Sequence, residues 1–119
     1  MGKRVLVVDD HEILRTTVCS MLRAQGFEVS EADNGVQAIE KAQQICPHLV
    51  ILDLAMPLMN GLEAARMLKI LMPNLPLLMF TNTTGLIMER DARAAGIGAV
   101  VCKSDSAERL LAQVRTLLN

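Results

Sequence analysis

Leu49-Val50-Ile51-Leu52-Asp53-Leu54-Ala55-Met56-Pro57 constrains the fold of this chain more than any other stretch. Four aliphatic residues run without a polar break and then deliver one carboxylate, Asp53. Pro57 has no N–H to give to a central strand, so the strand must end before it. A short aliphatic run bounded by turn formers is the pattern of a parallel strand buried on both faces. Asp53 then stands at the C-terminal edge of a sheet, the edge at which open α/β folds bind ligands.

Three further runs repeat this design. Val5-Leu6-Val7-Val8 ends in Asp9-Asp10, Leu77-Leu78-Met79-Phe80 ends in Thr81, and Ala99-Val100-Val101-Cys102 ends in Lys103. Phe27-Glu28-Val29-Ser30 alternates and reads as a strand nearer the sheet edge. Between the strands the period changes to that of a helix. Leu14, Val18, Met21 and Leu22 share one face of a helix over 12–25, which Gly26 should stop in a left-handed turn. Val36, Ile39 and Ala42 mark a weaker helix over 36–44, closed by Cys46-Pro47. The turn signal Asn60-Gly61 precedes a helix with Leu62, Ala65 and Leu68 on its inner face, running to Leu71 before Pro73. Met88, Ala92 and Ala95 align on a helix over 85–95. Leu110, Leu111, Val114, Leu117 and Leu118 form the clearest amphipathic helix, with Asp105 and Glu108 spaced as a capping box.

Five strands alternating with five helices predict an α/β fold, a three-layer αβα sandwich of flavodoxin-like type. Right-handed crossovers put helices on both faces of a parallel sheet, in strand order 2-1-3-4-5. With 119 residues, 51% of them hydrophobic, the chain is expected to be a single domain spanning 1–119. A net charge of −1 gives no basis for nucleic-acid or membrane binding by bulk electrostatics. No apolar run approaches the ~20 residues that cross a bilayer. Neither a signal peptide nor a myristoylation signal is expected at the start. Cys19, Cys46 and Cys102 are scattered, which suggests neither a disulfide framework nor a zinc site, and fits a reducing cytoplasm.

The strand ends bring Asp9, Asp10, Asp53, Thr81 and Lys103 to one edge of the sheet. Crowded carboxylates raise one another's pKa unless a cation relieves them. Oxygen donors suit Mg²⁺, with Mn²⁺ as an alternative ion. Lysine and threonine suit an oxyanion, one by charge and one by a directed hydrogen bond. A carboxylate can itself attack a phosphoryl group.

Val7-Val8-Asp9-Asp10, Asp53-Leu54-Ala55-Met56-Pro57 with Asn60-Gly61, Thr81 and Lys103 together resemble the receiver domain of bacterial two-component response regulators. The likeness extends from Lys3 to about Leu118. It implies that Asp53 is the phosphoacceptor and that Asp10, Asp9, Asp53 and the backbone carbonyl of Ala55 hold Mg²⁺. Thr81 and Lys103 would hold the phosphoryl oxygens. The donor would be a phosphohistidine on a sensor histidine kinase, in a cytoplasmic phosphorelay. Lys103-Ser104 followed by Asp105-Ser106-Ala107-Glu108 is most similar to receivers that precede a LuxR-type helix-turn-helix, which implies a C-terminal DNA-binding output and control of transcription. The resemblance implies a signalling switch with at most slow self-dephosphorylation, read out through the fourth helix, fifth strand and fifth helix. Ala55 stands where an aspartyl-nucleophile phosphohydrolase commonly places its general acid, which argues against an enzyme. The absence of tryptophan and tyrosine argues against a flavin-binding flavodoxin.

Two positions depart from the family pattern. Val100, three residues before Lys103, stands where an aromatic switch residue is usual, and Asn82 stands where a small residue is usual. The departures favour an alternative, a degenerate receiver that binds partners independently of phosphate. Asn82 and Met56 are expected to affect access to the pocket, and Met56 and Met59 to be exposed. If Met88 faces the sheet, Leu86 and Ile87 face solvent and offer a partner or homodimer surface on the fourth and fifth helices. His11 invites a phosphohistidine or metal-ligand role but is expected instead in the first helical turn near the pocket mouth, with Asp10 also serving as a helix cap. His48 is expected to be structural at the opposite sheet edge, and Cys102 to lie in the core.

Overall fold

A computed structural model describes residues 2–83 and 85–119 of the chain. Five strands and five helices alternate: β1 (Arg4–Val8), α1 (Glu12–Ala24), β2 (Glu28–Ala32), α2 (Gly35–Ile45), β3 (Leu49–Leu52), α3 (Gly61–Leu71), β4 (Leu77–Thr81), α4 (Leu86–Ala94), β5 (Ala99–Cys102) and α5 (Ala107–Leu118). The strands pair in parallel in the order β2-β1-β3-β4-β5. The expected flavodoxin-like topology is therefore the observed one.

Strand alternation divides the core into two layers. Leu6, Val8, Val50, Leu52, Leu77 and Met79 pack against Ala38 and Ala42 of α2, Ala64, Ala65 and Leu68 of α3, and Met88 and Ala92 of α4. Val5, Val7, Leu49, Ile51, Leu78, Phe80 and Val101 pack against Val18, Cys19 and Leu22 of α1 and Leu110 and Val114 of α5. Each fully buried leucine in β1, β3 and β4 is worth about 1.5–3 kcal/mol relative to exposure. The central strands are aliphatic on both faces because both faces are covered.

Several local expectations move. β2 begins at Glu28 and reaches Ala32, beyond the expected 27–30, because its register is set by pairing with β1 from Arg4↔Glu28 to Val8↔Ala32. In α2 the buried face carries Gly35, Ala38 and Ala42, whereas Val36 is exposed. The helix starts one residue earlier than expected, capped by the Asn34 side chain, which accepts from Gln37 N–H, and this turns Val36 outward. The cap of α5 is Ser106, whose hydroxyl accepts from Arg109 N–H at 3.2 Å, and not Asp105. The Asp105 carboxylate turns back to Cys102 N–H and pairs with Arg109 Nε at 3.0 Å. The reciprocal capping box stands instead at α3, between Asn60 and Glu63. Cys102 is half-buried and not core, with Sγ 3.0 Å from Ser104 Oγ; Val101 takes the inner position. Met88, Ala92 and Ala95 are buried as expected, and Leu86 and Ile87 are 76% and 77% exposed. Among the described residues, no helix is long and apolar enough to cross a membrane.

Candidate functional site

The register of the sheet assembles the site. Val8 pairs with Leu52, so Asp9 and Asp53 leave neighbouring strands side by side. Asp53 N–H donates to Val8 O at 3.0 Å, and Asp9 N–H donates to Ala32 O at 3.1 Å. Thr81 pairs with Cys102, and Lys103 N–H donates to Thr81 O at 3.0 Å, which carries the lysine to the same edge. Lys103 Nζ lies 2.8 Å from Asp9 Oδ2 and 3.0 Å from Asp53 Oδ2. Among the described residues, Asp9, Asp53 and Thr81 are the buried polar ones.

Asp10 sits on the rim, with its side chain 33% exposed. His11 joins the cluster: its Nδ1 is 3.1 Å from Asp9 Oδ1, 3.2 Å from Asp10 Oδ1 and 4.0 Å from Asp53 Oδ2. His11, not Asp10, is the N-cap residue of α1, and its side chain caps no helix N–H. Its backbone N–H instead donates to Asp9 Oδ1 at 2.9 Å. One donor atom from each of Asp9, Asp10, His11 and Asp53 fits within 4.8 Å of the others.

The two inner carboxylates titrate in opposite directions. Burial pushes Asp53 up, and the charge of Asp9 adds to this against the opposing pull of Lys103, so its pKa lies above the usual value. Burial also pushes Asp9 up, but the Lys103 and His11 hydrogen bonds outweigh it and its pKa lies below the usual value. Burial works to lower Lys103, yet its hydrogen bonds to Asp9 and Asp53 raise it, so it stays charged. With the imidazole neutral, three carboxylates face one ammonium. Two negative charges are left for a bound cation, and the hard oxygen donors match Mg²⁺.

The remaining expected residues are distributed around this centre. Thr81 Oγ1 accepts from Thr83 N–H at 3.2 Å; among the described residues its hydroxyl does not reach Asp53 or Lys103. Asn82 is exposed and lines a groove of about 350 Å³ with His11, Ile13, Leu14, Thr17 and Lys103. Ala55 is exposed in the loop after Asp53. Met56 and Met59 are half-buried against the α2–α3–α4 core layer, where they were expected in solvent. Val100 is half-buried against that same layer, whereas Phe80 packs in the α1–α5 layer, so the one cannot replace the other. Val100 borders a cleft of about 220 Å³ with Glu89, Arg93, Ile97, Gly98, Ala99 and Gln113. His48 lies at the far edge, where its Nδ1 accepts from Arg4 N–H at 2.9 Å, as expected of a structural histidine.

Leu58 and Arg15 were not singled out by sequence, and Gly61 was expected only as part of a turn and of the motif. Gly61 N–H donates to Leu54 O at 2.8 Å, and a Cβ at Gly61 would come within 2.2 Å of Asp53 O. Only glycine lets α3 start against the backbone of Asp53; Asn60-Gly61 signalled a turn but not this approach. Leu58 has φ of 70° and is 83% exposed, with Met59 N–H donating to Pro57 O at 2.8 Å around it. This is a γ-turn in its strained form, costly for a branched residue. Arg15 donates from Nη1 to Asp9 O at 2.8 Å and from Nε to Glu31 Oε1 at 2.9 Å, tying α1 to the end of β1. Its signal was an arginine one helical turn after His11.

Comparison with known proteins agrees with this geometry. The family profile described as response regulator receiver domain matches residues 5–115. The chain is 35% identical to the chemotaxis protein CheY of Bacillus subtilis, over 100% of both chains. It is 31% identical to the virulence factors putative positive transcription regulator BvgA of Bordetella pertussis, covering 99% of this chain but only 57% of that protein. Among solved structures, a LuxR-family two-component response regulator from Aurantimonas sp. SI85-9A1 superposes with a TM-score of 0.94 at 28% identity, covering 99% of this chain and 86% of that one. The chain therefore belongs to the response regulator receiver domain family, with relatives among both CheY-type and LuxR-type regulators.

Proposed function

We propose that this chain is a phosphorylation-dependent signalling switch whose phosphoacceptor is Asp53. The observation that carries this is the buried Asp53 carboxylate, held 3.0 Å from Lys103 Nζ beside Asp9 in a compact set of cation donors. The donor is a phosphohistidine of a cytoplasmic sensor histidine kinase. An Asp53 oxygen forms the new O–P bond as the P–N bond of the donor breaks. The electron pair of that bond stays with the imidazole nitrogen, and the ring leaves neutral with its other N–H intact. Lys103 stands where it can neutralise charge on the equatorial phosphoryl oxygens. Asp9, Asp10, Asp53 and the Ala55 carbonyl are the groups that would hold Mg²⁺ or Mn²⁺. When bound, the ion supplies charge compensation for the attacking and transferring oxygens.

The phosphoryl oxygens then offer an acceptor to the Thr81 hydroxyl, whose oxygen otherwise accepts from Thr83 N–H. Moving Oγ1 toward the phosphoryl group gives up that contact and lets the hydroxyl donate a charge-assisted hydrogen bond, roughly twice as strong as a neutral one. That difference biases the loop after β4, and with it α4, β5 and α5, between two packings. The chain itself turns phosphate over only slowly. The repacked surface would act on a homodimer contact through α4 and α5, or on a C-terminal DNA-binding output domain that controls transcription, the role for which its longer relative BvgA is named.

The test is incubation with acetyl phosphate and Mg²⁺, read by intact-mass spectrometry. Wild type should gain one phosphoryl group, and Asp53→Asn should gain none. Equal labelling of the two would refute Asp53 as acceptor. Val100 favours a second reading, a binding module indifferent to phosphate. Equal partner affinity for wild type and Asp53→Ala would establish that reading instead.

A further inference from the structure

We propose that His48 is a pH-sensitive latch at the sheet edge opposite the acidic pocket: its neutral imidazole holds the start of β1 to the end of α2, and protonation releases both. This goes beyond the phosphoacceptor reading and does not depend on it. Three residues, Cys46, Pro47 and His48, join α2 to β3. Across that joint His48 and Arg4 bond in both directions. His48 N–H donates to Arg4 O at 2.8 Å, and Arg4 N–H donates to His48 Nδ1 at 2.9 Å. The ring nitrogen thus does for the first residue of β1 what a strand carbonyl does elsewhere in the ladder. The Arg4 side chain closes the other end of the joint, with Nε 3.0 Å from Ile45 O and Nη2 2.9 Å from Cys46 O. Such carbonyls are the ones a helix C-terminus leaves without a partner. Arg4 therefore carries both the strand start and the helix end, and the His48 imidazole fixes its backbone.

An imidazole nitrogen accepts a hydrogen bond only while it is unprotonated, so acceptance at Nδ1 puts the ring hydrogen on Nε2. A proton on Nδ1 would set two donors, Nδ1–H and Arg4 N–H, against each other. The surrounding charges act in the same direction. Burial, with the cations of Arg4 and Lys3, holds the His48 pKa below its usual value, and Glu28 of β2 opposes them. The groove on the other side of His48, formed with Pro47 and the loop over 72–76, is lined by no other titratable side chain. Lys69 of α3 is turned onto Leu75 O at 3.0 Å, and Cys46 Sγ onto Gln43 O at 3.9 Å. In the unfolded chain the ring titrates near about 6.5. Because the folded value is lower, the stability contributed by the latch is complete above the unfolded value. It is lost as pH falls through that value toward the folded one.

The test is amide exchange of the full chain, followed residue by residue by NMR at about pH 7.5 and about pH 5 and expressed as protection factors, for wild type and His48→Asp. A carboxylate at this position can also accept from Arg4 N–H, and it stays ionised across this range. Protection of Arg4 N–H, and of Cys46 N–H, which donates to Ala42 O at the end of α2, should fall at least about tenfold in wild type at the lower pH. In His48→Asp it should change by less than about twofold. Gly98 N–H, which donates to Leu77 O near the start of β4 on the same sheet edge, should keep its protection in both. Equal loss in the two proteins, or none in wild type, overturns the latch. A loss at Gly98 as large as that at Arg4 means that the whole molecule opens, and overturns it too. Nitrogen NMR shifts of the wild-type imidazole give a second measurement that stands even if the variant fails to fold. Nδ1 should read as a bare acceptor at neutral pH and gain its proton where Arg4 protection falls. A proton already on Nδ1 at neutral pH, or a titration unconnected to Arg4 exchange, overturns the proposal.

Discussion

The pocket between β1 and β3 and the face formed by α4 and β5 are determined by different forces. In the pocket, Lys103 bridges two buried carboxylates, Arg15 holds the end of β1, and Gly61 brings α3 against the Asp53 backbone. Among the described residues, no buried side-chain nitrogen or oxygen lacks a hydrogen-bond partner. On the other face, α4 buries only Met88 and Ala92, its first turn exposes Leu86 and Ile87, and Val100 leaves a cleft. Charge pairing has few acceptable geometries, so the pocket has one arrangement. Sparse apolar packing has several of similar energy, which is the property a switching surface needs.

Removing Lys103 attacks the determined region and should have the largest effect. Lys103→Met leaves Asp9 and Asp53 buried without their cation, at a cost of about 3 kcal/mol near neutral pH. Without Lys103 both carboxylates move to higher pKa in the folded protein. Protonation then favours the fold, so the deficit shrinks as pH falls through those raised values. Urea unfolding in Mg²⁺-free buffer at neutral and mildly acidic pH measures this. A deficit that is constant with pH would mean that Lys103 acts by packing alone.

Asp53→Asn should go the other way, by about 1 kcal/mol of added stability at neutral pH. Asp53 titrates above its usual value, with burial the main cause and Asp9 a contributor. A group whose folded pKa is raised favours the fold when protonated, and that contribution is lost as pH rises through the folded value. Wild type therefore bears the cost of a buried carboxylate at neutral pH, and asparagine does not. The advantage of the variant should fade as pH falls through the Asp53 pKa. Asp9, held below its usual value, has the opposite sign: its contribution is lost only as pH falls through that lowered value. Added Mg²⁺ should narrow the difference between Asp53→Asn and wild type, which distinguishes charge relief from a general packing gain.

The two regions also differed in how far sequence revealed them. Strand order, both core layers and the convergence of Asp9, Asp53 and Lys103 follow from aliphatic runs that end in polar residues, because parallel register alone aligns such ends. What the sequence hid depends on approach distances and on one-residue phase. Gly61 looked like any turn glycine until Asp53 O stood against it. His11 was expected near the pocket mouth in the first helical turn, but nothing in its spacing fixes the direction of its ring. Val36 and the α5 cap shifted by one position, because Asn34 and Ser106 won the competition for the first helical N–H groups. Asp105, expected as the α5 cap, was instead drawn to Arg109.

Val100→Phe probes the loosely packed face and should have the smallest effect on stability. The cleft beside Val100 holds about 220 Å³, room for a larger side chain without displacing β5. Filling it buries added apolar area against the α2–α3–α4 layer, while the ring has to settle between Glu89 and Gln113. These terms oppose each other, so the net change should stay below about 1 kcal/mol. Asp53 labelling by acetyl phosphate should be unchanged, because none of Asp9, Asp53 and Lys103 lines this cleft. The informative readout is hydrogen exchange in α4, which should slow as the ring supports Met88 and Ala92 from below. Slower exchange in α4 with unaltered labelling would show that labelling at the pocket and the packing of this face are separately determined. A parallel change in both would show that the cleft is mechanically joined to the pocket through β4 and β5, the strands that carry Thr81 and Lys103 to it.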